Sequence, residues 1–121
     1  MSILFRFSLI LMLTFFLSCS DSEKRKLIIG KWKCIEWFST ASEEVNDVDN
    51  TSFEFKEDGT YTYINDILKE NGTFKIRENN LYTTPQGEAE IMVNIAHITK
   101  DSLCFEMNRG GVIEKMVLIK R

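Results

Sequence analysis

Phe53-Glu54-Phe55-Lys56-Glu57-Asp58-Gly59-Thr60-Tyr61-Thr62-Tyr63-Ile64 is the stretch that decides the fold. Phe53 and Phe55 alternate with Ser52, Glu54 and Lys56, and Tyr61 and Tyr63 alternate with threonines. That is the period-2 pattern of strands with one buried face. Asp58-Gly59 lies between the two runs, and such a dipeptide is the strongest short-range hairpin signal, because a type I′ turn needs positive φ at both central residues. A hairpin with inward-facing rings is expected here.

The same grammar continues in both directions. Turn signals follow at Asn71-Gly72, Asn79-Asn80, Pro85-Gln86-Gly87, Lys100-Asp101 and Gly110-Gly111. Between them lie Thr73–Glu78, Leu81–Thr84, Glu88–Ile98, Leu103–Asn108 and Val112–Lys120, each short and rich in β-branched or aromatic residues. Upstream, alternation places Trp32, Cys34 and Phe38 on one face and Lys31, Lys33 and Ile35 on the other. No segment reads as a convincing helix; Lys24–Ile29 or part of Ser39–Asp49 would form a turn or two. Eight short strands joined mostly by hairpins predict an all-β fold, a small antiparallel up-and-down barrel over residues 27–121. Closure favours the barrel over an open sheet because it leaves no exposed edges.

The connection Ser39–Thr51 is long for a compact domain and carries four acids and no base. Connections of that length are commonly lids, binding loops or disordered segments. Its Asn46-Asp47-Val48-Asp49-Asn50 run lacks the internal glycine and terminal glutamate of a calcium loop. A solvated loop is expected.

Residues 1–22 have a separate logic. Arg6 precedes an uncharged apolar run from Phe7 to Leu17, followed by small Ser18 and then Cys19. A bilayer-spanning helix needs ~20 apolar residues, and this run is about half that. The layout is that of a secretory signal. Phe16-Leu17-Ser18-Cys19 resembles a bacterial lipobox, which implies cleavage before Cys19 and acylation, palmitate included, of that cysteine. Multiple acyl chains hold a domain on a membrane, since each buried methylene contributes ~0.8 kcal/mol. The Ser20-Asp21-Ser22-Glu23 stretch resembles an export signal of Gram-negative surface lipoproteins; a solvated tether is the plainer reading. The expected organisation is a signal peptide over 1–18, an acylated cysteine and tether over 19–26, and the barrel after it, on the outer membrane and facing the periplasm or the cell surface.

The whole chain has 121 residues at a formal charge of −3. Loss of residues 1–18 removes one cation, Arg6, and leaves 103 residues at −4. This acidic balance, with no basic run longer than Lys24-Arg25-Lys26, argues against nucleic-acid binding.

Gly30-Lys31-Trp32 at the head of the first strand matches the Gly-x-Trp signature of lipocalins. Ile29–Lys33, Phe53–Tyr61, Asn71–Ile76 and the Ile98–Leu103 turn together resemble the small lipocalin-like domains of Gram-negative lipoproteins. The resemblance covers roughly residues 27–121. It implies an eight-stranded barrel whose tryptophan closes the narrow end against a basic side chain near the last strand, here Lys120 or Arg121.

Catalysis and metal chemistry find little footing. His97 is the single histidine and has no flanking signature of a nucleophile–base set. Glu88 and Glu90 would share a strand face, yet glycosidase chemistry also needs a cleft and a second positioned acid. No enzyme activity, cofactor or metal is expected. Cys34 and Cys104 are expected as thiols, since they fall on opposite faces of strands that are not neighbours. Trp32, Phe53, Phe55, Tyr61, Tyr63, Phe74 and Phe105 should point inward. Eight-stranded barrels are either filled by side chains or hold one small ligand. Two readings therefore stand side by side. One is a filled core, a structural module of the envelope. The other is a shallow pocket beneath the Ser39–Thr51 loop for a lipid or other small hydrophobic molecule. A third reading, from a different class, is an envelope inhibitor or immunity protein that grips a protein partner through loops and the outer barrel face. Trp37, opposite Trp32, would be an exposed contact there. Asp101-Ser102-Leu103 resembles an O-glycosylation signal, and an Asp-Ser turn explains it equally.

Overall fold

The computed structural model describes residues 20–40 and 48–121, together with the backbone of 42–45. Residues 1–19, Ala41, Asn46 and Asp47 lie outside the described residues, and with them the expected signal peptide and acylated cysteine. Helix α1 (Asp21–Ile28) precedes nine strands: β1 (Gly30–Ser39), β2 (Ser42–Val45), β3 (Ser52–Phe55), β4 (Thr60–Ile64), β5 (Lys69–Arg77), β6 (Asn80–Pro85), β7 (Ile91–Ile98), β8 (Ser102–Arg109) and β9 (Val112–Lys120). β1 and β3 to β9 pair antiparallel in sequence order, and β9 returns to β1, so eight strands close a barrel. This is the architecture expected from the hairpin grammar. The extra strand, β2, pairs with Phe38 and Ser39 at the end of β1. The long acidic connection is therefore partly strand, which corrects its reading as a plain loop.

The up-and-down order sorts the connections onto two ends. The 56–59, 78–79 and 99–101 turns share one end with α1, and the 65–68, 86–90 and 110–111 turns share the other with the connection after β1. The α1 end is sealed. Trp32 is fully buried, and its Nε1 donates to the Ile28 carbonyl at 2.7 Å. Lys120 lies over the Trp32 ring, Nζ 4.5 Å from its centre, and donates to the Leu27 and Ile29 carbonyls, groups left unpaired where α1 ends. Lys120, rather than Arg121, is thus the basic partner of the tryptophan. Gly30 makes room: at φ +131°, it leaves open the space where a Cβ would stand 2.6 Å from Lys120 Cε.

Helix α1 runs through most of the segment expected as tether. Ser20 caps it, accepting from the Glu23 amide at 3.3 Å. Ser20-Asp21-Ser22-Glu23 is an S-x-x-E helix start, the sequence pattern of a capping box. Burial of Ile28 supplies the helix with a core contact, which so short a helix needs because local propensity alone is insufficient. The helix also clasps two turns. Asp21 accepts from the Glu78 amide at 2.9 Å, Lys24 donates to the Glu78 carbonyl and to Asn79 Oδ1, and Arg25 donates to the Glu57 carbonyl at 2.7 Å.

Two local expectations are corrected. Asp58-Gly59 does join β3 to β4, but positive φ belongs to Gly59 alone (+86°), in a three-residue Glu57-Asp58-Gly59 loop rather than a type I′ turn. The type I′ signature, positive φ at both central residues, is found at Gly110 (+62°) and Gly111 (+90°). Asn71-Gly72 is no turn: Gly72 pairs with Pro85 in mid-β5, and the turn lies at 65–68. A Cβ on Gly72 would stand 2.2 Å from the Thr84 carbonyl oxygen and 2.8 Å from Tyr61 Cε1, so the glycine serves close backbone approach.

Two bulges break the alternation. β1 skips a residue against β9 between Cys34 and Glu36, and β7 skips one against β8 between Ile95 and His97. Beyond the first bulge the faces exchange: Trp37 turns inward, opposite Met116 of β9, and packs against the core. Phe38 accordingly leaves the face of Trp32 and Cys34. The expectation of an outward-facing Trp37 is overturned.

Candidate ligand site at the open end of the barrel

The interior divides along the barrel axis. Towards α1 it is filled: Phe55 packs edge-on against Phe74 at 5.1 Å, and the Arg25 guanidinium covers the Phe74 ring at 5.1 Å. Trp32, Phe55 and Phe74 therefore belong to the sealed end and are absent from the lining of the open-end cavity. Towards the opposite end a cavity of about 200 Å³ remains. Phe53, Tyr61, Tyr63 and Phe105 line it, so four of the seven aromatic candidates meet there. Phe53 is the hub, 4.7 Å from Tyr63 and 5.8 Å from Phe105, ring centre to ring centre.

Every barrel strand contributes to the wall. β1 adds Trp37, β5 Glu70, β6 Leu81 and Thr83, β7 Ile91 and Val93, β8 Met107, and β9 Glu114, Lys115 and Met116. Leu81 and Val93 were within reach of the alternation rule in their strands. Trp37 was hidden by the bulge. Glu70 was hidden by the misplaced turn, although it alternates with Gly72 and Phe74 on the inward face of β5.

The polar part of the lining is compact. Tyr61, 1% exposed, donates its hydroxyl to Glu70 Oε2 at 2.9 Å. Burial, then the hydrogen bond and charge of Glu70, push the Tyr61 hydroxyl far above its ordinary value, so it stays protonated and remains a donor. Burial likewise raises Tyr63, whose oxygen accepts from Asn65 Nδ2 at 3.1 Å. Lys115 is tied to Glu106 at 3.0 Å on the outer side of the wall.

The other chemistry-bearing candidates lie away from the cavity. His97 is exposed and sits opposite Cys104 on the outer face. Glu88 and Glu90 precede β7, which begins only at Ile91, and Glu90 reaches Lys75 at 3.4 Å. Cys34 is buried inside and its Sγ donates to the Glu36 carbonyl; Cys104 lies on β8, with β9 between the two, and both are free thiols. Burial pushes the Cys34 thiol up to about 11.

A closed antiparallel barrel, one end sealed by a Gly-x-Trp strand start and a C-terminal lysine, the other enclosing an apolar cavity, defines the lipocalin class of architecture. The sequence agrees with it: residues 28–105 match the lipocalin-like domain family, and the chain belongs to that family. Among solved structures, a lipocalin-like protein from Bacteroides uniformis superposes with a TM-score of 0.65 at 13% identity, covering 78% of this chain and 99% of that one. An uncharacterized protein from Bacteroides eggerthii superposes with a TM-score of 0.62 at 16% identity, with the same coverage. At such identities the likeness is one of fold. No curated protein matches the chain significantly in sequence.

Proposed function

We propose that this chain is a lipid-anchored protein of the cell envelope whose barrel takes up one small hydrophobic molecule at its open end. The observation that carries the reading is the apolar cavity of about 200 Å³ walled by all eight barrel strands. Pockets for drug-sized ligands measure roughly 300–1,000 Å³. The occupant is therefore small, a single ring or a short alkyl chain. The role in this reading is binding. The neutral single-ring ligand toluene should bind by calorimetry, and Val93→Phe, which fills the cavity, should abolish that binding while the thermal unfolding transition survives. Absence of probe binding to the wild-type protein would remove the reading.

The anchor rests on the Phe16–Cys19 lipobox resemblance and the short apolar run before it. Cys19→Ala should move the mature protein from the outer-membrane fraction to the soluble one. Retention in the membrane would defeat the anchor. Exposure at the cell surface rests on Ser20–Glu23, and protease shaving of intact cells tests it.

The second reading, a protein-binding inhibitor or immunity module, is favoured by one observation. The β4–β5 tip at the open end carries Ile67, 96% exposed, beside half-exposed Ile64 and Leu68. Capture of a single envelope protein that is lost with Ile67→Asp supports it; unchanged capture removes it.

A further inference from the structure

The cavity is apolar but not electrically neutral. Its charged lining residues are Glu70, Glu114 and Lys115, and Lys115 is committed to Glu106 at 3.0 Å. Glu70 projects from the inward face of β5 and takes one hydrogen bond, from Tyr61. An ionised carboxylate can accept about four, so Glu70 retains lone pairs for an occupant. The neighbourhood adds to its sign. Glu88, in the turn above β7, lies near enough to Tyr61 to raise its hydroxyl further, and Asp66 stands on the adjoining 65–68 turn. Beside the carboxylate stands Tyr63, the cross-strand partner of Glu70, its ring packed against that of Phe53 with centres 4.7 Å apart. Aromatic faces attract cations through their quadrupole.

Resting on the ligand-binding reading above, we infer that the ligand carries a cationic head on its apolar body, a protonated amine received by Glu70 beside the Tyr63–Phe53 ring pair. A fatty acid is excluded by the same geometry. Its carboxylate would enter a low-dielectric cavity against Glu70, where like charges repel more strongly than in water, and Lys115 is already neutralised. The tyrosine hydroxyl reinforces the choice. It is held protonated and points its hydrogen at Glu70, which fixes the carboxylate's orientation and leaves its far side for the ammonium.

The test uses one alkyl chain with three heads. Hexylamine, hexanol and hexanoate are titrated against the wild-type protein at neutral pH by calorimetry, with toluene as the neutral reference. Hexylamine should bind about tenfold tighter than hexanol and more tightly still than hexanoate, since each charge-assisted bond exceeds a neutral one roughly twofold in strength. Added salt should weaken hexylamine and leave hexanol unchanged. Glu70→Gln should erase the amine preference while hexanol affinity holds. Equal affinities, or a preference for hexanoate, with the neutral reference still bound, would overturn the cationic head and leave the ligand-binding reading intact. Failure of every probe, the neutral reference included, would overturn both. The ligand series and its salt dependence need only the wild-type protein, so the inference stands or falls even if Glu70→Gln does not fold.

Discussion

Lys120 reaches the face of Trp32 across the bare Cα of Gly30. Nζ sits 4.5 Å from the ring centre, and any Cβ at position 30 would meet the lysine chain at 2.6 Å. One contact thus joins the first strand, the last strand and the carbonyls at the end of α1. Lys120→Met should cost about 1–2 kcal/mol through the lost cation–π and hydrogen-bond contacts. Gly30→Ala should cost about 2–3 kcal/mol, because it adds strain at positive φ to the displacement of the lysine. The double variant should fall short of the sum, since both changes remove the same contact. Urea unfolding of the four proteins measures the coupling, and strict additivity would contradict it.

Gly72→Ala should be among the most damaging single substitutions. Its Cβ meets the backbone of β6 at 2.2 Å, and backbone cannot rotate away as a side chain does. A loss of about 3 kcal/mol or more is expected, read as a lowered midpoint of thermal unfolding. Gly87→Ala is the contrasting case: nothing lies within 4 Å of that Cβ, and only the positive φ of +78° resists it. A cost near 1 kcal/mol follows.

Deletion of Ile35 should be tolerated. Ile35 is the surplus residue of the β1 bulge, and its side chain is exposed. Removing it leaves Cys34 opposite Leu118 and Glu36 opposite Val117, so Trp37 still faces the cavity. Stability should fall by about 1 kcal/mol from the lost local twist. Tryptophan emission and probe binding should be unchanged. A red-shifted emission would mean that Trp37 had turned out to solvent.

Cys34 gives the protein an alkaline weakness. Burial raises the folded thiol to about 11, above its ordinary 9.0. Between those values the unfolded chain releases the proton and the folded one keeps it, so stability is intact below pH 9 and is lost as pH rises towards 11. The loss is about 3 kcal/mol. Denaturant midpoints of wild type and Cys34→Val, compared across that window, should converge by this amount; a constant difference would refute the assignment.

Much of the barrel was legible because alternation reports which face is buried wherever strands pair regularly. Phe53, Phe55, Tyr61 and Tyr63 obey that rule, and their hairpin formed where Asp58-Gly59 placed it. The rule fails where a strand gains a residue, and β1 does so at Ile35 without any compositional mark. Trp37 was lost to the site for that reason. Asn71-Gly72 misled in another way: glycine marks turns and close backbone approaches alike, and only the packing of Tyr61 and Thr84 against it distinguishes them. That error also concealed Glu70. Helix α1 was readable from Ser20-Asp21-Ser22-Glu23 as a capping box, had the same four residues not also suggested an address.

The clasp between α1 and the 57–59 and 78–79 turns has a directional consequence. Cys19 stands immediately before Ser20, which caps the helix held against the sealed end. Acyl chains on Cys19 would moor the barrel by its floor, with Lys24, Arg25 and Lys26 beside the lipid headgroups and the mouth turned away from them. Cargo would then come and go through the aqueous phase, and molecules dissolved in the bilayer beneath would have no direct route inside.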